Sequence, residues 1–187
     1  MKVEPPDWRG QTVVCIASGP SLTLDDCEAA KGHRAIVVNT SFRAAPWADV
    51  LFAHDMRWWL HYRAEVAEVF KGRRMSMTYG AKGVESLHNN RWFKGVGNSG
   101  ACAIAIAVGA KAARVVLLGF DCQKTGGSIH WHGNHPTPLS NALSIDAWPT
   151  QFSRVAAHAK KAGLEVINAS RDTALTCFER MPLESAL

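Results

Sequence analysis

The sequence predicts an α/β fold built on a mostly parallel sheet, and three observations predict it. Short apolar runs recur along the chain: TVVCI at 12–16, RAIVV at 34–38, DVLFA at 49–53 and RVVLL at 114–118. A strand buried on both faces reads as such a continuous run, without alternation. Stretches with helical spacing separate the runs, and alternating strand and helix signals mean a parallel sheet covered on both sides. The runs also break at Gly, Asn, Ser or Asp, the residues that turn a chain. The class expected is a mostly parallel sheet with helices on both faces: one domain over 1–187, in three layers.

The first run leads into Ser18-Gly19-Pro20-Ser21. Gly19 lets the backbone approach a ligand, and Ser21 reads as the N-cap of a helix over about 22–30. A strand, a Gly turn and a helix N-terminus together could hold a phosphate on backbone N–H groups. The motif is neither GxGxxG nor a P-loop, for it lacks the Lys. The second run ends at Asn39-Thr40-Ser41 and the third at His54-Asp55. A helix follows over 56–70, with Trp59, Tyr62, Val66, Val69 and Phe70 at helical intervals. Residues 73–78 read as a weaker strand, and 81–97 offer no element.

Asn98-Ser99-Gly100 opens an apolar helix of small residues over 101–111, with Ser99 as its expected N-cap. A helix apolar on nearly all faces is buried. The run at 114–118 ends at Gly119-Phe120-Asp121, and 122–146 carry His, Gly, Pro and Asn without periodicity. So long a structureless loop in a compact chain is usually a binding loop or lid. A helix over 147–162, a short strand at 165–167 and a closing segment complete the chain.

Composition narrows the function. The chain is 47% apolar and 20% charged, an ordinary globular balance that excludes disorder. Its net charge of +5 comes from scattered Lys and Arg, which suits a small anionic ligand and gives no basic patch for nucleic acid. The five Cys have no CxxC spacing, so reduced thiols in a cytoplasmic protein are expected. Residues 1–10 have no signal-peptide pattern, and no run is long enough to span a membrane.

In parallel sheets ligands bind beyond the carboxyl ends of the strands, where the strand order switches. That rule gathers Ser18, Gly19, Pro20, Ser21, Asn39, Ser41, His54, Asp55, Thr78, Asn98, Ser99 and Asp121, and Gly100 joins Ser99 as a binding candidate. His130, His132 and His135 lie in SIHWHGNHP. An HxH pair on an extended segment points both imidazoles one way. The readings open to the trio are general acid–base or substrate contact, a metal site, and structural hydrogen bonds. No zinc spacing is present, so no metal ligand set is assigned and the acid–base reading is preferred. Asp55 and Asp121 could instead bridge Mg²⁺ to a diphosphate, or serve as cap and turn residues. Among the aromatics, Trp131 between two His is the one expected to face a ligand.

The segments IASGPSL, VNTSF, ADVLFAHDMRWW, GNSGACAIAIAVGAKAARVVLLGFDCQ and HWHGNHP resemble phage and prophage proteins with the GPSL motif. More distantly, the chain is similar to bacterial sialyltransferases of the GPSL type and to the 6-hydroxymethylpterin pyrophosphokinase-like family. The resemblance runs over roughly 12–168. It implies a Rossmann-like, nucleotide-dependent transferase, glycosyltransferase-like, using a CMP-type nucleotide-sugar donor. By that resemblance Gly19, Pro20, Ser21 and Asn39 contact the nucleotide, and a loop His, first His132, then His130 or His135, is the base. The pyrophosphokinase branch implies Mg²⁺-ATP held by Asp55 and Asp121. The chain departs from the sialyltransferases in having only Tyr62 and Tyr79, neither in the late loop. Partners expected are a small nucleotide donor, no nucleic acid and no membrane, and self-association into a homo-oligomer is compatible with the sequence.

Overall fold

The computed structural model describes residues 3–88, 90, 93, 96–139 and 145–187. Eight strands form one sheet: β1 (Thr12–Ile16), β2 (Arg34–Val38), β3 (Val50–Phe52), β4 (Arg73–Ser76), β5 (Glu85–Ser86), β6 (Arg114–Leu118), β7 (Glu165–Asn168) and β8 (Glu179–Arg180). Their order is β5-β4-β3-β2-β1-β6-β7-β8, and every pairing is parallel. The fold is therefore α/β and Rossmann-like. The chain winds outward from β1 through β2 to β5, then returns to pair β6 on the other side of β1 with Val14 opposite Val116. The switch in strand order thus falls between β1 and β6.

The apolar runs form strands because nearly every side chain in them is buried. Val13 and Cys15 point into one apolar cluster, while Val14 and Ile16 point into the other. Helix α3 (Ser99–Gly109) and α4 (Trp148–Lys161) supply the first cluster; α2 (Met56–Val69) supplies the second. From Ala101 to Val108 every α3 side chain is buried, and its alternating Ala lets the helix lie close on β1, β2 and β3. Each Ile of that helix contributes about 1.5–3 kcal/mol by burial. The short α1 (Leu24–Ala29) and α5 (Leu183–Ala186) complete the α-helices among the described residues, and 3₁₀ turns span Asn39–Arg43 and Ile145–Ala147.

Two caps differ from the sequence expectation. Helix α1 starts two residues late, capped by Thr23, whose hydroxyl accepts from the Asp26 N–H while the Asp26 carboxylate accepts from the Thr23 N–H. This capping box satisfies two orphan donors at once, so Thr23 displaces Ser21. Helix α3 begins at Ser99 and is capped by Asn98, whose Oδ1 accepts from the Ala101 N–H at 2.8 Å. Asp55 caps α2 as anticipated, accepting from the Arg57 N–H. The loop after β6 has no helix or strand among its described residues before Ile145, and its residues 140–144 lie outside them. No helix among the described residues is long and apolar enough to cross a membrane.

Candidate functional site

A cavity of about 230 Å³ opens at the β1–β6 switch. Ala17, Ser18 and Gly19 leaving β1, with Gly119 and Phe120 leaving β6, form its floor. Val38 and Asn39 after β2, His54 after β3, and Asn98, Ser99 and Gly100 at the start of α3 form one wall. Phe152 and Trp148 of α4, with Ile129 and His130 of the long loop, form another. The lining mixes apolar side chains such as Val38, Phe120, Trp148 and Phe152 with a few polar ones such as Ser18, Asn39, Asn98 and His130, as is usual for a small-molecule site. Two non-glycine residues in the lining, Asn39 and Cys122, have a left-handed backbone with φ of 51°. Such outliers persist where the surroundings over-determine them, and they concentrate at ligand sites.

The Gly19–Ser21 turn is not the phosphate cradle that the sequence suggested. Its amides already have partners: Gly19 N–H donates to Gly119 O at 2.7 Å, Leu22 N–H to Gly19 O, and Ser21 N–H to Asp121 Oδ2 at 2.9 Å. The Ser21 hydroxyl adds a bond to Asp121 Oδ1 at 2.7 Å, and Thr125 Oγ1 donates to Oδ2 at 3.1 Å. The Asp121 carboxylate therefore occupies the place an anion would take. A Cβ on Gly19 would stand 2.1 Å from Asp121 Oδ1 and 2.5 Å from Gly119 O. That contact, which only Gly can make, explains why Gly stands here. Burial pushes the Asp121 carboxyl pKa up, and the Ser21 and Thr125 hydrogen bonds oppose the shift.

The other predicted residues divide clearly. Gly19, Asn39, Asn98, Ser99 and Gly100 line the cavity. Ser41 does not: it is buried beneath, its hydroxyl donating to Ala17 O at 2.9 Å. Pro20 and Ser21 sit outside the lining, with Ser21 turned to Asp121. Asp55 is exposed at the head of α2 after β3, and β2 and β1 lie between that strand and β6, which carries Asp121, so the two carboxylates stand at separate strand ends. Trp131 packs against the α2-side core and is not part of the cavity lining, and its buried Nε1 has no hydrogen-bond partner among the described residues. Trp148 lines the cavity in its stead.

The three loop histidines come together, though on a turn and not an extended segment. His130 and His132 stack with centroids 5.2 Å apart and planes within 5°; His135 lies 4.9 Å from each. The turn closes through Gly133 N–H to His130 O, and Trp131 N–H fastens the loop to Ser18 O at 3.0 Å. Ser18 Oγ lies 3.0 Å from His130 Nδ1, and the Tyr62 hydroxyl lies 3.4 Å from His135 Nδ1. The Nε2 atoms of His130 and His132 are buried and have no hydrogen-bond partner among the described residues. Burial, and then the neighbouring His135, push the pKa of His130 and His132 down to about 4. Burial and Arg43 push His135 down as well. Of the three, His130 is the one that lines the cavity; His132, the first choice from the sequence, and His135 do not.

Sequence reasoning missed Phe120, Phe152, Cys122 and Gln123 as parts of the lining. Phe120 and Phe152 meet edge-on at 5.7 Å, and both line the cavity. No family model and no curated protein matches the chain.

Proposed function

We infer that the protein is a nucleotide-dependent transferase, glycosyltransferase-like, that takes a nucleotide-sugar donor into the β1–β6 cavity. The observation that carries this reading is the position of that cavity, at the strand-order switch between the ends of β1 and β6. The space of about 230 Å³ lies just under the ~300–1,000 Å³ usual for ligand sites. It suits part of a nucleotide-sugar, the remainder extending toward the histidine loop.

An anionic group on the donor would meet the first N–H groups of α3, an 11-residue helix whose N-terminus lines the cavity at Ser99 and Gly100. Asn39 offers an amide beside it. His130 lines the same space and is the imidazole placed to exchange a proton with an acceptor hydroxyl. A phosphate alongside would raise the imidazole pKa toward neutrality, because an opposite charge favours the protonated form. Magnesium-assisted diphosphate transfer from ATP is the weaker reading, since Asp121 is held by Ser21 and Thr125 and Asp55 stands apart.

A melting-temperature screen against CMP, UDP, GDP and ATP, with and without Mg²⁺, tests this. A ligand at 100 times its Kd stabilises by ~2.7 kcal/mol, or very roughly 5–10 °C for a chain of this size. The expected result is such a rise with one nucleotide, independent of Mg²⁺. A rise with ATP only when Mg²⁺ is present favours diphosphate transfer. Binding without turnover of a sugar donor makes the chain a non-catalytic phage-type binding protein. No rise with any nucleotide overturns the reading.

A further inference from the structure

We propose that His130, His132 and His135 form a site for one divalent transition-metal ion of the zinc type. One ligating atom from each side chain lies within 4.8 Å of the other two. In a tetrahedral zinc site each nitrogen is ~2.0–2.1 Å from the ion, hence ~3.4 Å from its neighbours. A closure of little more than ~1 Å, within reach of side-chain rotation, brings this trio to that spacing.

Two further observations point the same way. The buried Nε2 atoms of His130 and His132 have no hydrogen-bond partner among the described residues. Folded chains rarely leave two such atoms unsatisfied side by side, and a shared ion satisfies both. The outer nitrogens are held as those of metal-bound imidazoles are. Ser18 Oγ lies 3.0 Å from His130 Nδ1, and the Tyr62 hydroxyl makes a longer 3.4 Å contact with His135 Nδ1. With Nδ1 of His130 so engaged, its Nε2 is the atom left for an ion. A simple stacked histidine cluster would explain the ring contacts and leave the unpartnered nitrogens unexplained.

The donor set selects the ion. Three imidazoles suit zinc, copper, nickel or ferrous iron, whereas Mg²⁺ and Ca²⁺ require oxygen ligands. Three neutral ligands leave the ion's charge uncompensated and a coordination position open, so the fourth ligand is a water, hydroxide or anionic oxygen. His130 also lines the cavity, so one side chain joins the ion site to the ligand site. This inference goes beyond the transferase reading and replaces one part of it: with Nδ1 on Ser18 and Nε2 on an ion, His130 has no nitrogen left for proton exchange, so in the ion-loaded chain it is a ligand and not the base.

The test is titration of the chelator-stripped chain with Zn²⁺ by calorimetry and with Co²⁺ by visible absorption. We expect one ion per chain, a tetrahedral cobalt spectrum and no competition from Mg²⁺. His132→Ala and His135→Ala should each weaken binding by more than ~100-fold, beyond what loss of an outer partner costs. Ser18→Ala, a positioning change, should weaken it ~10–100-fold, and Ser18→Thr should restore it. His33→Ala, at the opposite edge of the sheet before β2, should leave it unchanged. Melting curves establish that the variants fold; His132 and His135 are only half-buried and their loss should be tolerated. The proposal is overturned by absence of stoichiometric binding, by binding that survives the His132→Ala/His135→Ala double change, or by a thiolate band implicating Cys122 or Cys177. Ion titrations run without nucleotide, and the nucleotide screen repeated with chelator, let either result stand without the other.

Discussion

Two loops leave neighbouring strands at the carboxyl edge of the sheet and end in opposite condition. The turn after β1 is saturated: its amides at Gly19, Ser21 and Leu22 all have partners, and Asp121 sits on it as an internal anion. The histidine loop after β6 is fastened to the same turn by Trp131 N–H at Ser18 O, yet it buries ring nitrogens that nothing among the described residues satisfies. A saturated loop stabilises the fold, and an unsatisfied one holds polar atoms for something outside the chain. Substitutions should therefore act on stability in the first region and on ligand binding in the second.

The largest effects belong to the saturated turn. Asp121→Ala removes the acceptor for Ser21 N–H, Ser21 Oγ and Thr125 Oγ1, and hydrogen bonds to charged groups are worth ~1.5–3 kcal/mol each. Part of that gain is offset by burying the carboxylate, so a net loss of ~3 kcal/mol is expected, read as a fall in the urea midpoint. Gly19→Ala should cost a similar ~3 kcal/mol, because the new methyl meets the Gly119 carbonyl as well as Asp121.

Next in size is a change of the opposite sign. His132→Leu in the metal-free chain replaces a buried nitrogen without a partner by an apolar group, and removing such a penalty is worth ~1 kcal/mol. The melting temperature should rise while ion binding is lost, as happens where a site is kept at the expense of stability. A melting temperature that instead falls by several degrees would erase the contrast between the loops.

Asn98→Ala is the smallest. It removes the α3 cap and the Asn98 Nδ2 bond to Gln151 Oε1, a cost of ~1 kcal/mol by chemical denaturation. Because Asn98 also lines the cavity, nucleotide affinity should fall with it. Unchanged affinity would remove α3 from the site.

The fold was legible because its signals are local. The runs at 12–16, 34–38 and 114–118 became strands with those bounds, since burial on both faces leaves no polar side chain to interrupt them. The two-residue β5 and β8 carry too few side chains to make a pattern. Cap positions slipped because several capping residues stand together: Ser21 competes with Thr23, and Ser99 with Asn98. The Thr23-x-x-Asp26 box was readable and outranks a lone Ser.

The site was half legible. A polar residue after each strand placed Asn39, Asn98, Ser99 and Gly100 at the cavity. What could not be read was the partner of Ser21, an Asp 100 residues onward whose carboxylate fills the turn. The same limit applied to the histidines. Their spacing allowed one cluster but did not require it, because Gly133, with its φ of 81°, sets the turn that brings His135 back.

The account rests on where a ligand meets this edge, and amide chemical-shift mapping during a CMP titration reads that directly. It predicts shifts at Asn39, Ser99, Gly100 and Gly119, with the Ser21 amide unmoved beneath Asp121. Shifts centred on Ser21 and Leu22, or on Arg171 and Arg180 in the separate hollow near β8, would contradict it.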